Sequence, residues 1–125
     1  MAEPIDIVRT FCETWAKGDL DTIVEFFTDD AVYHNIPVAP VTGRAAIKET
    51  IEGFTAGVDQ IEFRVLNIAA DGSVVMTERV DVFRTAAATI ELPVMGTFEV
   101  SGDKIAAWRD YFDLNQFMSQ IAPTS

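Results

Sequence analysis

The chain is predicted to fold as an α+β domain in which a curved, mostly antiparallel sheet wraps a group of helices. Three helical segments come first, up to Phe54, alternating segments follow them, and hairpin turns rather than helical crossovers join those segments. Consecutive antiparallel strands beside a helical layer make one sheet with one covered face.

Taken in order, Ile5, Val8, Phe11, Cys12 and Trp15 recur at three- and four-residue steps, which predicts a helix over residues 5–17 ended by Gly18. Asp19 is placed to cap a second helix from Leu20 to Phe27, with Leu20, Ile23, Val24 and Phe27 as its stripe, before Asp29-Asp30 breaks the pattern. Ala31-Val32-Tyr33 reads as a brief strand, and Pro37 and Pro40 then hold a rigid loop that cannot join a ladder. Thr42 is a suitable cap for a third helix, Arg44 to Phe54, whose Ala45, Ile47, Ile51 and Phe54 are available for burial. Ile61 to Ala70 and Ser73 to Phe83 flank Asp71-Gly72, a two-residue hairpin signal; Thr89 to Val100 and Lys104 to Phe112 flank Ser101-Gly102-Asp103. A short helix over Leu114 to Ile121 closes one end.

A length of 125 residues suits one domain, residues 1–125, with a single site. Twenty acids against nine bases give a formal charge of −11, which repels phosphate backbones and anionic headgroups, so neither nucleic acid nor a membrane surface is expected as a partner. Met1-Ala2-Glu3-Pro4-Ile5-Asp6 has no basic start and no continuous apolar run, and a cytoplasmic location is the expectation. Cys12 is the only cysteine and His34 the only histidine, so an internal disulfide is excluded and a structural zinc site is not expected. Cys12 reads as core, and His34 as an exposed side chain. A serine or cysteine nucleophile normally needs a placed histidine; no Gly-x-Ser-x-Gly elbow, phosphate-gripping glycine loop or dinucleotide fingerprint occurs either.

The residues left to carry chemistry are charged groups on strands. Along Ser73 to Phe83 the side chains of Val75, Thr77, Arg79, Asp81 and Phe83 share a face, opposite Val74, Met76, Glu78, Val80 and Val82, where packing suffices as a reason except at Glu78. Arg79 and Asp81 are then about 7 Å apart along the strand, among apolar neighbours where a charge must find a partner. On the last strand Trp108, Asp110 and Phe112 point one way, Arg109 and Tyr111 the other. If the two faces meet inside the curved sheet, Arg79 lies between two carboxylates. A guanidinium favours the ionised acid, whereas burial and a second acid favour the neutral one, and splitting the pair assigns one base and one acid. Charges alone fit a structural ion-pair network as well. Tyr33 and Asn35 share a strand face and present a hydroxyl and an amide able to hold a water, although each is also an ordinary residue of a core or a turn.

Tyr33-His34-Asn35-Ile36-Pro37, Gly43-Arg44, Glu78-Arg79-Val80-Asp81-Val82 and Trp108-Arg109-Asp110-Tyr111-Phe112-Asp113-Leu114 resemble the limonene-1,2-epoxide hydrolases, and the resemblance runs from about Val8 to Phe117. The resemblance implies a cone of the nuclear-transport-factor-2, ketosteroid-isomerase or SnoaL-like kind: a six-stranded sheet curled around an apolar pocket, with three to four helices. It implies Asp110 as the base that takes a proton from water, Asp81 as the acid for the epoxide oxygen, Arg79 as the bridge between them, and Tyr33 and Asn35 as holders of the water with Asp110. It also implies a pocket wall drawn from Phe54, Val58, Phe83, Leu92, Val94 and Phe112, suited to a compact cyclic or terpenoid epoxide, although the same residues read as readily as core. Ring strain supplies driving force, so water and a small apolar epoxide suffice, with no cofactor and no metal. Family members are commonly homodimers; the amino terminus here is short beside theirs.

Two other readings fit the same fold. A ketosteroid-isomerase-like isomerase or polyketide cyclase would use Asp110 as a carbon-acid base and Tyr33 or Asp81 as oxyanion donor, but a guanidinium at Arg79 keeps the donor acid ionised. A noncatalytic binding module would not depend on Asp110 at all.

Overall fold

A computed structural model describes residues 2–17 and 19–121. Helices α1 (Pro4–Thr14), α2 (Leu20–Val24) and α3 (Arg44–Thr55), with strands β1 (Phe27–Asn35) and β2 (Val41–Thr42) between them, precede four long strands. These are β3 (Gln60–Asp71), β4 (Val74–Arg84), β5 (Thr89–Ser101) and β6 (Lys104–Tyr111), followed by α4 (Leu114–Ile121). The strands form one six-stranded sheet in the order β2-β1-β6-β5-β4-β3, antiparallel throughout except for the parallel pair β1 and β6. The expected class is the observed one.

Alternation on the long strands is what separates an inside from an outside. On β5, Ile90, Leu92, Val94, Gly96, Phe98 and Val100 are buried, and their neighbours are mostly exposed. Phe11 of α1 fills the inner face, packing edge-on against Phe27, Phe98 and Trp108, with ring centroids 5.1–5.8 Å apart. Cys12 beside it is buried, as expected, and burial pushes its thiol up to about 12, so it is inert packing.

Several boundaries differ from expectation, each for a local reason. The first helix stops at Thr14, where the hydroxyl donates back to the Thr10 carbonyl and the next amides turn to three-residue bonds, Ala16 to Glu13 and Lys17 to Thr14. Gly18, the expected terminator, lies outside the described residues. Asp19 does cap α2, accepting from the Thr22 amide at 2.8 Å, but α2 ends at Val24 and Phe27 opens β1. Asp29-Asp30 does not break the structure. It occupies a bulge where five residues of β1, Phe27 to Val32, advance against two of β6, Ile105 to Ala107, leaving both acids exposed. Arg44 secures the bulge, donating to the Phe27 carbonyl from Nε and Nη2 and pairing with Asp29 at 3.2 Å.

The loop of Pro37 and Pro40 returns to the sheet as β2, so Thr42 is in a strand and Gly43, with φ of +93°, is the residue before α3. The tight turn after β3 is centred one residue later than expected, with Asp71 facing Val74 across it. The outer face of β4 is only partly packed: Val82 is buried, whereas Met76 is half exposed and Glu78 accepts a hydrogen bond from the Asn67 amide at the surface. His34 is half-buried rather than exposed, its Nε2 3.0 Å from the Val38 carbonyl across the turn. No helix among the described residues is long and apolar enough to cross a membrane.

Candidate active site

Arg79 and Asp81 project from β4, and Asp110 from β6, onto the same inner face of the sheet. All three are almost completely buried, at 1%, 3% and 4% exposure, where an unpaired charge would not survive. Arg79 forks between the acids. Its Nε and Nη2 donate to the two oxygens of Asp81 at 2.9 Å each, while Nη1 and Nη2 donate to the two oxygens of Asp110 at 3.2 and 2.8 Å. Nη1 also donates to the Thr77 hydroxyl at 3.1 Å, and the Phe63 ring covers the guanidinium 4.6 Å from its centre.

Tyr33 and Asn35 complete the polar end from β1, which runs parallel to β6 with Asn35 opposite Asp110 and Tyr33 opposite Trp108. The Tyr33 ring stacks on Trp108 at 4.3 Å, and its hydroxyl donates to Asn35 Oδ1 at 3.1 Å. Tyr33, Asn35, Asp81 and Asp110 all line one cavity of about 170 Å³. That volume lies below the roughly 300–1,000 Å³ of sites for drug-sized ligands, so the cavity suits a compact molecule. Its other walls are apolar, which strengthens every charge interaction inside it.

The trio carries one positive and two potential negative charges, so in a buried site one proton is favoured. Burial raises the Asp81 carboxyl from its ordinary range up to about 6, against the opposing pull of Arg79 and with help from the Asp110 charge. Asp110 accepts three N–H donors, the third being Trp108 Nε1 at 2.6 Å, whereas Asp81 accepts two. A proton on Asp81 therefore disturbs fewer hydrogen bonds. Burial works against the charge on Arg79, but the two carboxylates outweigh it and hold the guanidinium protonated. Burial, together with the Asp110 charge, pushes the Tyr33 phenol upward, so it acts as a neutral hydroxyl. The arrangement thus holds two carboxyl groups, bridged by one guanidinium, side by side on one wall of a mostly apolar cavity.

Of the residues expected on the wall, Phe54, Phe83, Leu92, Val94 and Phe112 line the cavity, and Val58 does not. Val58 falls in the turn that ends α3, after Gly57 at φ of +79°, with its amide bonded to Thr55, and that turn carries it off the wall. Phe63, Leu114 and Phe117 line the cavity without having been expected there. Phe63 sits opposite Asp81 in the β3–β4 register and was legible from the Ile61, Phe63, Val65 alternation. Leu114 and Phe117 show the three-residue spacing of one helical face on α4. Thr77 and Trp108 each stand two positions before a charged residue of the trio, on the same face. Their polar atoms were the available signal.

Residues 2–123 match the limonene-1,2-epoxide hydrolase catalytic domain family. The chain is 32% identical over 107 residues to the epoxide hydrolase EphG of Mycobacterium tuberculosis (strain ATCC 25618 / H37Rv), a match spanning 86% of this chain and 71% of that protein. Among solved structures, an M. tuberculosis LEH-like epoxide hydrolase superposes with a TM-score of 0.81 at 30% identity, covering 94% of this chain and 87% of the other. A putative SnoaL-like polyketide cyclase from Shewanella putrefaciens CN-32 superposes with a TM-score of 0.85 over 98% of both chains, but at 16% identity, a likeness of fold alone. With the match to the family running almost end to end, the chain belongs to the limonene-1,2-epoxide hydrolase family.

Proposed function

We propose that this chain is an epoxide hydrolase that adds water to a small apolar epoxide, cyclic or terpenoid, in one step to give a vicinal diol. The observation that carries the reading is the Arg79 fork, which sets two carboxyl groups side by side on one wall of the cavity. Water, held by Asp110, Asn35 and Tyr33, attacks an epoxide carbon and gives its proton to Asp110. The ring carbon–oxygen bond breaks as Asp81 delivers its proton to the leaving oxygen, which becomes the second hydroxyl. One proton must then leave Asp110 and one return to Asp81 before the next turnover. No covalent intermediate forms.

The same proposal includes a homodimer. The outward-facing Met76, Met95 and Tyr111, each about half exposed on neighbouring strands, offer an apolar face for a second copy, and sedimentation reads one chain or two.

The test is diol formation from a panel of cyclic and terpene epoxides in ¹⁸O-labelled water, with Asp110→Asn and Asp81→Asn beside the parent. The expected result is label in the diol within a single turnover, and a loss of about 10²–10⁴-fold in kcat in each folded variant. Label appearing first in a carboxylate, or turnover surviving in Asp110→Asn, would overturn the proposal.

A further inference from the structure

We propose that Gly96 is a positioning residue of this site: the missing side chain at that point of β5 is the gap through which the Arg79 guanidinium reaches Asp110. The inference rests on the reading of Asp81, Arg79 and Asp110 as the reacting group. Arg79 stands on β4 and Asp110 on β6, so the whole of β5 lies between them, two strand spacings or roughly 10 Å in all. Every other inward position on β5 carries an apolar side chain that would stand in the way, including Val94, the direct cross-strand partner of Arg79. Gly96 occupies the row Thr77–Gly96–Asp110, and Arg79 reaches diagonally across that row.

The gap is filled already. A Cβ on residue 96 would collide with Arg79 Nη1, would lie 2.6 Å from Asp110 Oδ1 and would press on the Thr77 hydroxyl at 3.0 Å. None of these atoms is a free end. Nη1 is bonded to Thr77 and Asp110, Oδ1 also accepts from the Trp108 indole, and the Phe63 ring covers the guanidinium. The backbone does not ask for glycine here. Gly43, Gly57, Gly72 and Gly102 have positive φ and Gly96 does not, so an alanine could adopt its conformation without strain. The requirement comes from the side chains of the trio alone, and it ties the fold of β5 to the geometry of the acid and base.

Gly96→Ala tests this with two readouts, one independent of any epoxide. The Trp108 indole N–H resonance, set by its hydrogen bond to Asp110, is expected to move in the ¹H–¹⁵N spectrum while that of Trp15 stays. In turnover, kcat is expected to fall about 100-fold, the scale of an ångström of misplacement, with KM within about threefold of the parent. In a folded variant, an unmoved Trp108 indole or a kcat within about threefold of the parent overturns the proposal. A parent that opens no epoxide overturns the hydrolase reading instead, and the indole shift still decides whether Gly96 admits Arg79. If Gly96→Ala does not fold, Arg79→Met/Gly96→Ala is expected to fold as Arg79→Met does, because the colliding guanidinium is gone. Failure of the double variant where Arg79→Met folds would show that the backbone needs the glycine.

Discussion

The inner face of β4, β5 and β6 has two ends that differ sharply in what they cover. At the closed end Val75, Phe98, Ile105 and Trp108 are buried in one cluster with Phe11 of α1, whose ring lies 5.8 and 5.1 Å from those of Phe98 and Trp108. At the open end, two to six residues further along the same strands, Asp81, Val94, Leu92, Asp110 and Phe112 face a cavity instead. The boundary is the row of Thr77, Gly96 and Asp110. One alternation produces both ends, so what separates a core from a site here is the residue type placed on the pattern and whether a helix fills the space above it.

Truncating an aromatic at each end separates core from site. Phe11→Ala empties a fully enclosed volume ringed by five aromatic partners and is expected to cost about 3–5 kcal/mol in urea denaturation. Phe83→Ala enlarges a space that is already open on one side of its ring, so only lost burial counts, about 1–3 kcal/mol. Its main effect is expected as a raised KM. Equal losses of stability would mean that the open end is ordinary core.

The closed end was the more legible in the sequence. Ile5, Val8, Phe11, Cys12 and Trp15 announce a buried helical face, and the paired strands with their Asp-Gly and Ser-Gly-Asp turns announce the sheet. Neither the parallel pairing of β1 with β6 nor β2 was legible, because two residues make no period and a parallel neighbour leaves no local mark. For the site, alternation placed Arg79 with Asp81 and Trp108 with Asp110, but that Arg79 crosses a whole strand depends on Gly96, whose signal is an absence. Val58 was misplaced because its turn geometry, not its hydrophobicity, decides where it points.

Proton demand also divides the two ends, and pH separates them. Asp81 is raised by burial from 3.8 to about 6, so the fold favours its protonated form. The stability this contributes is fully present below about pH 4 and is lost as pH rises through about 6. As the proton donor Asp81 must be neutral, so kcat/KM is expected to decline above about pH 6, by up to about tenfold per unit for a single proton. The denaturation midpoint of the parent, compared with that of Asp81→Asn between pH 4 and 8, checks the first part; the rate profile checks the second. A difference in midpoint that grows in the parent's favour as pH rises would reverse the sign and remove Asp81 as the acid.

The smallest expected effect lies at the mouth, where α4 closes the open end with Leu114 and Phe117. β5 outruns β6 here, since the β5–β6 pairing stops at Met95 opposite Tyr111, and the Glu91 backbone is left without a strand partner on that side. Gln120 supplies one from a side chain: its Oε1 accepts from the Glu91 amide at 3.0 Å and its Nε2 donates to the Glu91 carbonyl at 2.9 Å. The amide thus stands in for one residue of missing strand and fixes how α4 sits over the cavity. Because both bonds are solvent-exposed, Gln120→Ala is expected to lower stability by only about 0.5–1.5 kcal/mol. Its effect on turnover should appear in KM, through looser walls at Leu114 and Phe117, with kcat unchanged because the carboxylates are held from β4 and β6. A fall in kcat at constant KM in steady-state assays would show instead that the helix over the mouth, and not the sheet alone, sets the geometry of the acid and the base.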